Sequence, residues 1–106
     1  MLHQRIEELL EAPASGDAAP SLARLEATLT DGYAQALALE AERSRIERQI
    51  GEVAGRVDEP SASGVTEEIV TLARKLTHAE GELGNLRAML RRLNARTRAL
   101  RHTPLV

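Results

Sequence analysis

Two series of residues, each advancing by steps of three and four, run through most of this chain. The first visits Leu22, Leu25, Leu29, Gly32, Ala36, Leu39, Arg43, Ile46, Ile50, Val53 and Val57. The second visits Val65, Ile69, Leu72, Leu76, Ala79, Leu83, Leu86, Leu90, Leu93, Thr97 and Leu100. Nineteen of these 22 positions are apolar, against 42% of the whole chain, so the pattern is not an accident of composition. A repeat of this period over several heptads predicts two helices packed as a left-handed coiled coil.

The two series also predict how the helices pair. If the chain folds back at 58–64, Val57 meets Val65 and Leu22 meets Leu100, and every facing pair of numbers sums to 122 without a slip. Small residues then face large ones, Gly32 against Leu90 and Ala36 against Leu86, as close packing requires. The turn contains Pro60, the sole proline between residues 21 and 103. After it, Thr66 is expected to cap the second helix, with Glu67 and Glu68 at its positive end. Arg98, Arg101 and His102 suit the other end. The expected fold is all-α: a long antiparallel hairpin over 21–102, with residues 103–106 as a tail.

Ahead of the hairpin, residues 1–20 divide in two. Leu2, Ile6 and Leu9, with Leu10 alongside, mark a short amphipathic helix. Residues 12–20 (APASGDAAP) hold no large apolar side chain and read as a linker. Tyr33, Leu37, Val70 and Met89 are the large apolar residues that fall off the seam. Tyr33 and Leu37 are four apart on one flank, with Arg87 and Arg91 expected beside them. The N-terminal helix is expected to fold back onto this flank, its leucines on Tyr33 and Leu37 and Glu7, Glu8 and Glu11 near the arginines. The competing expectation is that the same flank, or the N-terminal helix itself, meets another chain; a homodimer would form a four-helix bundle.

Composition narrows the chemistry. The chain has 106 residues, no cysteine, no Trp or Phe and one Tyr. That leaves no room for a separate catalytic module and no thiol for a disulfide, a zinc site or a nucleophile. His3, His78 and His102 show no ligand spacing, so no metal or cofactor is expected. No apolar run approaches a membrane span, and Met1 to Leu10 is charged rather than signal-like, which points to the cytoplasm. No catalytic triad or glycine-rich phosphate loop can be assembled, so an enzyme is not expected.

Three binding regions remain. The first is the off-seam flank, where Tyr33, Leu37 and Met89 would anchor another protein and Arg87, Arg91 and Arg98 would orient it. The second lies at mid-hairpin. Arg43, the one charge on the seam, is expected to fix register and to reach Glu40, Glu47 or Glu80. Together with Ser44, Arg48 and Gln49 it could instead line an anion site, with Gly81 and Gly84 allowing close approach. The third is the basic end: residues 85–106 carry six arginines and no acid, on a chain of net charge −2. Without aromatic side chains in that stretch, nucleic acid is a disfavoured partner.

Glu40 and Ser44 at mid-arm give the hairpin a resemblance to the coiled-coil anti-sigma factors that bind cyclic di-GMP. Their signature runs Glu-x3-Ser-x2-Arg-x3-Gln-x3-Asp. Here the next three positions are Glu47, Gly51 and Gly55; on the second arm Glu80 and Arg87 match, while Gly84, Arg91 and Ala95 do not. The resemblance covers shape and little chemistry. It implies, as an alternative to the protein-binding module, a ligand-responsive regulator that takes an anionic nucleotide near Arg43.

Overall fold

A computed structural model describes residues 1–58 and 63–102. They form three helices: α1 (Leu2–Glu11), α2 (Leu22–Ala54) and α3 (Val65–Arg101). The two long helices pack against each other as an all-α hairpin preceded by the short one. Of the 22 seam positions only Val57 is exposed, at 55%.

Local chemistry sets the helix ends. The Ser21 hydroxyl accepts the Arg24 amide at 3.1 Å and starts α2, directly after Pro20. α1 stops at Ala12, which is extended (ψ 152°) because Pro13 follows it. α2 ends three residues before the seam does. Gly51 and Gly55 weaken its last turn, and the chain tightens there into bonds from Arg56 N to Val53 O and Val57 N to Ala54 O. This early end leaves Val57 outside the packing with Val65. Nor does Thr66 cap α3. The Glu68 amide bonds the Gly64 carbonyl, so Gly64 is the boundary and Thr66 lies inside the helix. Glu67 and Glu68 do occupy the first turn, and Arg98 and Arg101 the last. Pro60 and residues 103–106 lie outside the described residues.

The chain divides into two compact units, and both long helices contribute to each. In the unit formed by 37–84, Ile46, Val53, Val65, Leu72 and Ala79 make a buried cluster, with Ile50, Ile69 and Leu76 packed against it. Just past the end of α2, Arg56 pairs with Glu68 in the first turn of α3 at 3.4 Å. Arg43 follows one of its expected options and pairs with Glu47 at 3.7 Å on its own helix.

The other unit, 1–36 with 85 onward, buries Leu25, Leu29, Ala36, Leu86, Leu90 and Leu93. Here Gly32 faces Leu90: a β-carbon on Gly32 would overlap the Leu90 Cδ2 methyl and lie 3.3 Å from its Cγ. The predicted pairing of Gly32 with Leu90 therefore holds. Thr97 on the seam and Thr28 beside it are both buried. Each hydroxyl is satisfied by the carbonyl four residues back, Thr97 on Leu93 at 2.9 Å and Thr28 on Arg24 at 3.0 Å.

α1 completes this unit in cis, with Ile6 fully buried and Leu9 2% exposed. Its position corrects the sequence expectation. Arg5 reaches Asp31 at 3.1 Å and the Thr28 hydroxyl at 3.4 Å, while Tyr33 stays 49% exposed. Thr28 and Tyr33 are five residues apart, about 140° around a helix. α1 thus occupies the flank opposite Tyr33, and Glu7, Glu8 and Glu11 remain exposed.

The reason lies at the C-terminus of α1. Its last carbonyls have no partner within the helix, its last turn holds no basic residue, and no glycine follows to fold the chain back onto them. Arg96 of α3 supplies what is missing. Its guanidinium donates to the carbonyls of Leu9 at 2.5 Å and Leu10 at 2.7 Å, and also to that of Ala12. One cation thus satisfies three carbonyls and meets the negative end of the helix dipole. Burying two aliphatic side chains stabilises by only about 1.5–3 kcal/mol each. A helix this short is marginal alone, so its polar anchors decide where it docks.

Candidate functional site

The site is built from two stripes that flank the seam in the unit containing α1, on the side away from it. On α2, Glu26, Thr30 and Tyr33 follow one another at spacings of four and three. On α3, Arg91, Asn94, Arg98 and Arg101 do the same at three, four and three. The stripes are joined where Arg101 Nη2 donates to Glu26 Oε1 at 2.7 Å and Arg101 Nε donates to the same oxygen at 3.1 Å. Glu26, Leu29, Thr30, Tyr33, Asn94 and Arg101 line a shallow groove of about 270 Å³ between the helices.

Tyr33 forms one wall of that groove, and its ring faces solvent although no other aromatic exists in the chain. Arg91 and Arg98 are exposed farther out along the α3 stripe. The groove therefore offers one amphipathic ring, an apolar floor at Leu29 and cations on its outer edge. Large planar side chains beside guanidinium groups can anchor a protein partner, because the ring covers apolar area at little entropic cost. Arg87 continues this stripe one turn earlier and is exposed.

The other expected anchors are placed differently. Met89 is half-buried and lies seven residues before Arg96, hence on the flank that carries α1. It does not join Tyr33. Leu37 is 66% exposed and belongs to the other unit. Among the arginines of 85–102, Arg96 holds α1 and Arg101 holds Glu26.

At mid-hairpin, Arg43 is half-buried while Ser44, Arg48 and Gln49 are exposed. At about 100° per residue these four side chains spread over several faces of α2 rather than converging. Nothing lies within 4 Å of a β-carbon placed on Gly81 or Gly84, so no close approach uses them. The nearby hollow is lined by Glu42, Arg74, Lys75, His78, Ala79 and Glu82, with His78 and Glu82 3.0 Å apart. Among the described residues no cluster of three or more His, Asp or Glu is arranged to hold a metal ion. No described helix is long and apolar enough to cross a membrane.

Sequence reasoning missed Thr28 and Arg96. Thr28 reads as an ordinary polar helix residue, and Arg96 as one more member of a basic run. The available signal was the C-terminus of α1, whose carbonyls needed a donor from elsewhere in the chain. Comparison with protein-family models, with curated proteins and with solved structures finds no match.

Proposed function

We propose that this chain is a cytoplasmic, non-enzymatic protein-interaction module, an adaptor, small chaperone or regulatory subunit that binds its partner along the Tyr33 flank. Its long helices pack as an antiparallel coiled coil and serve as the frame. The observation that carries this reading is the position of Tyr33: the single aromatic side chain stands half exposed on the flank that α1 leaves open. The Tyr33 ring packs into an apolar recess of the partner. Arg91 and Arg98 pair with the partner's carboxylates and set its orientation.

The test uses a photo-crosslinking amino acid in place of Tyr33, with the same group at Gly81 as the control. The full chain is expressed in its source cells, and the crosslinked protein is identified by mass. That protein is then titrated against the wild type and Tyr33→Ala. The reading predicts capture at position 33 and not at 81, with at least a tenfold loss of affinity in Tyr33→Ala at unchanged helicity. Equal capture at both positions, or an unchanged Kd, contradicts it.

A further inference from the structure

The face that α1 covers is a binding site for the C-terminal end of a helix. Its recognition chemistry is entirely non-covalent. Ile6 and Leu9 are the apolar anchors, Arg5 reaches Asp31 and Thr28, and Arg96 takes the carbonyls of Leu9, Leu10 and Ala12. None of these contacts depends on the peptide connection between Ala12 and Leu22. That connection turns back at Gly16, whose φ of 89° lies in the left-handed region, and the turn is closed by Ala19 N on Gly16 O at 3.1 Å.

We infer that this face accepts the α1 of a second copy of the chain, giving a reciprocal dimer in which each α1 lies on the other protomer. The occupant follows from the chemistry. α1 carries the aliphatic pair, the arginine and the uncapped carbonyls that the face recognises. A two-fold exchange re-forms every one of these contacts in both protomers, so it needs no new interface. The bend at Gly16 decides between the two forms: bent, the chain keeps its own α1; extended, it hands α1 over. The Tyr33 flank lies on the opposite side, so this inference stands or falls separately from the proposed function.

Gly16→Val in the full chain tests it. A β-branched residue is disfavoured at this φ, and nothing lies within 4 Å of a β-carbon there, so the substitution challenges only the bend. Sedimentation equilibrium from micromolar to millimolar concentration gives the mass, and amide exchange reports whether α1 is docked. Gly16→Val is expected to double in mass while the α1 amides keep their wild-type protection. Adding Arg96→Ala is expected to return it to a monomer with unprotected α1 amides. A Gly16→Val chain that stays monomeric at millimolar concentration overturns the inference, whether or not α1 is protected. A dimer that survives Arg96→Ala overturns it as well.

Discussion

Gly32 on α2 sits directly against Leu90 on α3, close enough that a β-carbon would overlap the leucine's Cδ2 methyl. Its other methyl and its Cγ lie 3.5 Å and 3.3 Å from the same point, so turning the terminal torsion exchanges one clash for another contact. Leu90 is buried and has little room to withdraw. Gly32→Ala should therefore lower stability by about 1–2 kcal/mol, the overpacking cost exceeding the gain in helix propensity of about 1 kcal/mol. Gly81→Ala meets nothing within 4 Å and should raise stability by about 0.5–1 kcal/mol. Thermal melts of both variants check the opposite signs. A stabilised Gly32→Ala would contradict the register.

Arg96→Ala should free α1 without unfolding the hairpin. The carbonyls of Leu9, Leu10 and Ala12 lose their shared donor, and the dipole of α1 loses its cation. Hydrogen exchange should show at least a tenfold rise in the rates of the α1 amides and little change at Leu86 to Leu93. Arg96→Lys should recover only part of the protection, because an ammonium cannot span three carbonyls as a planar fork does. Uniform loss of protection across the chain would mean that Arg96 supports the hairpin itself.

The hairpin was legible in the sequence because burial and periodicity are the same signal in a helix. Gly32 and Leu90 could be paired from numbers alone, and the pair is present. The placement of α1 was not legible. Its aliphatic residues announced a docking helix, but the choice of flank rests on one guanidinium and a few main-chain carbonyls, which periodicity does not encode. The side taken by Met89, expected on the Tyr33 flank, was legible all the same: it lies two residues from Arg91, about 200° around the helix, and so on the side away from that flank. The end of α2 was misjudged at Val57, where the glycines at 51 and 55 outweighed the apolar repeat. Tyr33 was legible as an exposed side chain because it is the lone aromatic and falls off the seam.

Arg43→Leu should stabilise the chain by about 1 kcal/mol. Arg43 occupies a seam position, and its pairing with Glu47 at 3.7 Å is partly exposed and contributes little. A leucine there would add apolar burial at a seam position. Denaturant unfolding gives the difference. A destabilised variant would mean that the arginine makes contacts worth more than a buried aliphatic side chain.

Tyr33→Ala should change stability by less than about 0.5 kcal/mol, since the ring is half exposed. The urea midpoint should match that of the wild type. A loss of several kcal/mol would show the ring to be part of the core rather than a contact surface.

Oxidative footprinting of the full chain, free and bound to the partner captured at position 33, tests the binding flank most directly. Tyr33 and the exposed Met1 should react in the free chain, and Met89 is half-buried on the other side. The Tyr33 flank as the binding surface predicts that the partner protects Tyr33 and leaves Met1 and Met89 as they were. Protection of Met89 with Tyr33 fully reactive would place the partner on the α1 face and contradict it.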